Sequence, residues 1–127
     1  MKITQAFTFE AAHRLPNVPE THRCHRMHGH SYRVELTLTG AVDPQTGWVV
    51  DFFDVEHAFA PVLLQLDHYC LNDIAGLENP TAEHIAAWIW ARTKAALPAL
   101  SSVKVYETPM SWAEYEGSEA PQGKSTP

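Results

Sequence analysis

The sequence predicts a two-layer α+β domain in which helices cover one face of an antiparallel sheet. Three observations predict it. Two long segments near the start alternate apolar and polar residues with the two-residue period of half-buried strands, and the alternation returns near the end. Between them, two blocks repeat apolar residues every three or four positions, as helices do when they lay one face on a sheet. At 127 residues, the chain has the size of one domain that buries a core without staples.

Residues 2–13 form the first expected strand, with Ile3, Gln5, Phe7, Phe9, Ala11 and His13 on one face and Thr4, Ala6, Thr8, Glu10 and Ala12 on the other. Pro16, Pro19 and many polar groups make residues 15–29 a long loop, and such loops in compact domains usually carry function. Residues 31–40 form the second strand: Tyr32, Val34, Leu36 and Leu38 alternate with Arg33, Glu35, Thr37 and Thr39, and Gly40 stops it. Asp43 to Gly47 reads as a turn, and Trp48-Val49-Val50 as a short extended piece. A helix capped by Asp51 or Asp54 follows, with Val55, Ala58, Phe59, Val62, Leu63 and Leu66 on its stripe and Pro61 expected to kink or shorten it. Thr81 caps the second helix, whose stripe is Ile85, Trp88, Ile89 and Ala96, and Pro98 ends it. Residues 103–108 set Val103, Val105 and Glu107 on one strand face, and residues 111–116 form a last strand around Trp112 and Tyr115. Beyond Gly117 the Ser, Glu, Pro, Gln, Gly and Lys composition predicts a disordered tail, so one domain over residues 1–116 is expected.

Composition narrows the function. With 45% hydrophobic and 19% charged residues the chain is globular, and a net charge of −6 argues against nucleic acid as a main partner. No apolar run approaches the roughly 20 residues of a membrane span, and the first residues lack a signal-peptide pattern. A cytoplasmic protein without a membrane partner is expected. There Cys24 and Cys70 are expected as free thiols. Arg14, Arg23, Arg26 and Arg33 gather four of the nine basic residues near the histidines, either as a local anion site or as solvated surface.

The chemistry concentrates in Cys24-His25-Arg26-Met27-His28-Gly29-His30, with His22 just upstream. This reads as half of a metal site. Side chains two residues apart in an extended segment share a side, so His28 and His30 offer two nitrogens to one ion, and Gly29 leaves the backbone free to bend. An open zinc site takes three protein ligands plus water, with Zn–N distances of about 2.0–2.1 Å. If the first two strands pair antiparallel, about 4.8 Å apart, His13 falls beside His30 and supplies the third ligand; a one-residue slip would turn it away. Spacing alone admits iron or cobalt as well as zinc. Asp67-His68, at the end of the first helix, forms an acid–base pair only if the two side chains touch. Glu107 puts a carboxylate on an apolar face, so it either sits at the strand's exposed end or binds something. His57 and His84 are expected as exposed helix positions.

Several local motifs recur together in one known family. Phe9-Glu10-Ala11-Ala12-His13, Cys24 ahead of His28-Gly29-His30, Asp43-Pro44 with Thr46-Gly47, Leu66-Asp67-His68, Leu71-Asn72-Asp73, Asn79-Pro80-Thr81 and Glu107-Thr108 span most of residues 5 to 116. On these the chain resembles the 6-pyruvoyltetrahydropterin and 6-carboxytetrahydropterin synthase family, and it looks most like the bacterial carboxy branch of queuosine biosynthesis. The resemblance implies the tunnelling fold, a four-stranded antiparallel sheet with two helices on one face. Three subunits pool such sheets into a barrel, and two rings stack into a homohexamer with active sites between subunits. It also implies zinc on His13, His28 and His30, a nucleophile or base at Cys24, a proton relay at Asp67 and His68, and a pterin anchor at Glu107. His25 and Cys70 receive no role.

The implied substrate is 7,8-dihydroneopterin triphosphate, whose pyrimidine edge presents two parallel N–H donors that a carboxylate such as Glu107 accepts in a fork. Its triphosphate needs cations, for which Arg14, Arg23, Arg26 and His22 or His25 are the candidates. In the carboxy branch triphosphate and acetaldehyde leave; in the pyruvoyl branch triphosphate leaves and the side chain is rearranged. The expected function is therefore a zinc-dependent lyase of the carboxy branch, with the pyruvoyl synthase as alternative. A structural Cys-His₃ zinc site in a non-catalytic pterin-binding module and a zinc hydrolase are the other readings. Neither of these needs a carboxylate at Glu107.

Overall fold

The first two alternating segments fold as a pair of twelve-residue strands, β1 (Lys2–His13) and β2 (His28–Thr39). In the computed structural model, which describes residues 1–118, they are followed by helices α1 (Phe52–Leu66) and α2 (Ala82–Thr93) and strands β3 (Leu100–Thr108) and β4 (Ser111–Tyr115). Single 3₁₀ turns lie at Arg23–His25 and Leu71–Asp73. The strands form one antiparallel sheet in the order β1-β2-β3-β4. Most of the expected tail, residues 119–127, lies outside the described residues.

The apolar faces meet as the periods require. Phe9, Tyr32, Val34, Leu36, Leu38, Val103 and Val105 from the sheet pack with Val55, Phe59, Val62, Leu66, Ile85 and Ile89 from the helices. Each contributes roughly 1.5–3 kcal/mol on burial. Phe7 stacks on Phe59 at 4.6 Å and Phe9 on Tyr32 at 4.8 Å, tying β1 to α1 and to β2. Asp51 caps α1 by accepting from Phe53 N–H, and Thr81 caps α2 by accepting from His84 N–H.

Four expectations change. β2 begins at His28, before the expected start at residue 31, because imidazoles do not register in an apolar alternation. Trp48-Val49-Val50 is not a strand: the turn closes on itself, with Asp43 N–H donating to the Trp48 carbonyl at 3.0 Å and Gly47 N–H to that of Asp43 at 2.8 Å. Pro61 does not shorten α1, which runs on to Leu66; the carbonyl it leaves unpaired belongs to exposed His57 and faces water. Ala96 is exposed because α2 ends at Thr93, whose carbonyl accepts from both Ala96 N–H and Leu97 N–H, and the turn buries Leu97 instead. His57 and His84 are exposed, as expected.

The segment after α1 returns to the edge of β1. His68 N–H donates to the Glu10 carbonyl at 2.6 Å, and Ala12 N–H to that of Tyr69 at 3.2 Å. Among the described residues the rest of that edge, residues 2–8, and the outer edge of β4 carry no further strand. No helix among the described residues is long and apolar enough to cross a membrane.

Candidate active site and metal centre

The β1–β2 register sets His13 opposite His28, and Ala11 opposite His30. The expected neighbour of His13 was His30; the shift is two residues, so the period-two face is preserved and all three imidazoles still converge. Their ligand atoms lie within 4.8 Å of one another, a cluster that could hold a metal ion. Gly29 takes part as an ordinary strand residue. A Cβ there would meet the Ala11 carbonyl at 3.5 Å, an ordinary contact, so register places these histidines and backbone freedom does not.

Two backbone carbonyls orient the rings. His13 Nδ1–H donates to Pro80 O at 2.8 Å and His28 Nδ1–H to Arg26 O at 2.7 Å. Each bond leaves Nε2 unprotonated, the form in which imidazole binds a metal. Burial lowers the pKa of His13 below the ordinary value, outweighing the Pro80 bond and the Glu107 charge that act the other way. Burial also lowers that of His30, with Glu107 opposing it and His28 adding to it. Tautomers fixed at His13 and His28, pKa values lowered at His13 and His30, and the mutual proximity of the three rings fit a divalent ion.

Below the rings lies Tyr32, fully buried, with its ring edge-on to His30 at 5.4 Å and to His13 at 5.9 Å. Burial, and then the Glu107 charge, push its pKa far up, so it stays a neutral phenol. Glu107 itself sits where the β3–β4 register shifts, between Tyr106 and Thr108, and such irregularities re-aim side chains. Its Oε2 is 3.7 Å from His13 Nε2, beyond hydrogen-bond range. Only 29% exposed, the carboxylate is turned to the imidazoles and does not stand free at a strand end.

Cys24 rides on the 3₁₀ turn and lines a cavity of about 400 Å³ with Arg23, His28, His30, Glu107 and Thr108. It is a free thiol, as is Cys70. The site residues His13, His28, His30, Cys24 and Glu107 are thus gathered within one chain.

Asp67 and His68 do touch: Asp67 Oδ2 is 3.0 Å from His68 Nδ1. The other carboxylate oxygen accepts from Glu10 N–H at 2.9 Å, and this bond, then the one to His68, lowers the Asp67 pKa below the ordinary range. His68 has φ 65°, uncommon for a residue other than glycine. The Glu10 carbonyl that accepts its N–H holds that conformation. His68 opens onto a separate cavity of about 480 Å³ lined also by Glu10, Ser31 and Tyr69, and the two cavities share only His30.

The four arginines do not form a single anion site. Arg33 Nε is bonded to Glu35 at 3.0 Å on the far face of the sheet, while Arg23 lines the metal-side cavity. Sequence reasoning missed Pro80, Arg26 and Glu10, whose parts are played by backbone atoms and leave no trace in residue type. It also missed the local role of His22, whose Nδ1 accepts from Cys24 N–H at 3.0 Å. A polar acceptor two residues before the thiol was the available signal, but histidine is not among the usual caps.

Fold and site together define a two-layer α+β protein with a three-histidine centre and an adjacent carboxylate. Residues 2–118 match the family model described as 6-pyruvoyl tetrahydropterin synthase, and the chain belongs to that family. It is 44% identical over 119 residues to the 6-carboxy-5,6,7,8-tetrahydropterin synthase of Synechocystis, covering 89% of this chain and 91% of that one. Identity with the human 6-pyruvoyl tetrahydrobiopterin synthase is 32% over 132 residues, covering 91% of each. The fold superposes on the 6-pyruvoyl tetrahydropterin synthase of Caenorhabditis elegans with a TM-score of 0.86 at 28% identity, over 93% of this chain and 96% of that one. The sheet-and-helix arrangement is thus the tunnelling fold of this family.

Proposed function

We propose that the protein is a zinc-dependent lyase that converts 7,8-dihydroneopterin triphosphate to 6-carboxy-5,6,7,8-tetrahydropterin, releasing acetaldehyde and triphosphate, in queuosine biosynthesis. The greater likeness to the Synechocystis carboxypterin synthase than to the human pyruvoyl enzyme carries this choice of branch. His13, His28 and His30 would hold the zinc. Zinc in that position supplies Lewis acidity to a substrate hydroxyl, making neighbouring C–H and O–H protons easier to remove.

The chain's own residues do the rest. Glu107 accepts the two parallel N–H donors of the pterin edge, which fixes the ring and sets its side chain toward the imidazoles. Cys24, at the rim of the same cavity, takes a side-chain proton as its thiolate. His68, oriented by an Asp67 held ionised by Glu10 N–H, returns a proton. Arg23 lies where it can meet the triphosphate.

Because Cys24 and His68 open onto different cavities of one chain, the complete site needs His68 of a second copy. Among the described residues, the free edge of β1 over residues 2–8 and the outer edge of β4 support a closed ring of sheets, three chains to a ring and two rings to a homohexamer. The test of the reaction is incubation of zinc-loaded protein with 7,8-dihydroneopterin triphosphate, with products identified by mass spectrometry. Carboxypterin with trapped acetaldehyde is expected. A pyruvoyl product without acetaldehyde would move the protein to the other branch, and no turnover with zinc bound would leave a pterin-binding module.

A further inference from the structure

We infer that His22 is a positioning residue for the Cys24 thiol, acting as the cap of the turn that carries it; the inference rests on the reading of Cys24 as the base. The turn Arg23–His25 is a single 3₁₀ turn with no buried residue, so packing does not hold it. Three hydrogen bonds do. His22 Nδ1 accepts from Cys24 N–H at 3.0 Å, the His22 carbonyl accepts from His25 N–H at 3.0 Å, and Leu15 N–H donates to the Cys24 carbonyl at 2.8 Å. Two of these are backbone bonds that any residue can make. The side-chain bond depends on His22, whose extended backbone (φ −76°, ψ 133°) is the conformation of a capping residue.

The capped amide belongs to Cys24 itself, so the imidazole fixes the backbone of the residue that carries the thiol. Loss of the acceptor leaves that amide to water and lets the turn open. Cys24 then leaves its place in the cavity it shares with His28, His30 and Glu107. His25, the other histidine beside Cys24, makes only the backbone bond to His22 within this turn.

The test compares His22→Ala, which removes the acceptor, with His22→Asn, whose amide oxygen is a strong cap. Zinc content checks that each variant keeps its metal centre. The direct readout is the rate at which Cys24 reacts with iodoacetamide in zinc-loaded protein, followed by peptide mass spectrometry so that Cys70 is counted separately. We expect His22→Ala to change the rate of Cys24 labelling about fivefold, as loss of a cap would, and His22→Asn to restore it. Turnover should follow in kcat, with KM unchanged. Labelling of Cys24 at the wild-type rate in His22→Ala, or failure of His22→Asn to restore it, would overturn the inference. If labelling changes and recovers while kcat stays constant, the positioning stands and the base assignment of Cys24 falls.

Discussion

At the residue scale the proposed function gives metal-holding and proton-moving roles to different side chains, and substitutions distinguish them. His13→Ala removes a ligand and leaves a cavity beside the Pro80 carbonyl, so zinc is lost and stability falls by roughly 2 kcal/mol or more, read by metal analysis and thermal melting. Cys24→Ala should keep zinc and melt normally while abolishing turnover; loss of zinc would favour a structural Cys-His₃ site. Asp67→Asn keeps an oxygen for Glu10 N–H but no longer accepts from His68 Nδ1–H, so turnover should fall by about two orders of magnitude without loss of fold. It also carries a pH signature. The Asp67 pKa lies below the ordinary 3.8, so its contribution to stability is present above that value and fades as pH falls through the lowered one. The wild type should lose more stability than Asp67→Asn over that acid range in pH-dependent melts. At this scale the sequence was most legible where chemistry resides in side chains, as with His28, His30 and Glu107. It was least legible where a distant backbone atom does the orienting, as Pro80 does for His13.

At the element scale, period and capping carried the reading. The alternation in residues 2–13 and the stripe from Val55 to Leu66 reappear as β1 and as the buried face of α1. Ends were harder. A strand that opens on His28-Gly29-His30 has no apolar partner to mark it, and an isolated Trp48-Val49-Val50 has β-forming residues but no neighbouring strand to pair with. Asp67-His68 could not be judged from adjacency; the positive φ of His68 is imposed by β1. Two substitutions test the elements by calorimetry. Thr81→Ala removes the cap of α2 and should cost about 1 kcal/mol. Gly117→Ala should cost more than about 1 kcal/mol, because Gly117 has φ 96° and a Cβ there would lie 2.6 Å from Trp90 Cζ2.

At the scale of the whole molecule, the tunnelling fold leaves one question that the single chain poses itself. Cys24 and Glu107 share a cavity with His28 and His30, whereas His68 lines another, and no local pattern in the sequence could have shown that division. If active sites lie between subunits, two inactive variants complement each other. Cys24→Ala chains bearing an affinity tag and untagged His68→Ala chains, each without turnover alone, are unfolded together, refolded with zinc and recovered as mixed assemblies through the tag. Assayed with 7,8-dihydroneopterin triphosphate, the mixed assemblies should regain acetaldehyde release, because some sites then pair an intact Cys24 with an intact His68 from a neighbour. Mixed assemblies of proven composition that stay inactive would contradict the shared site.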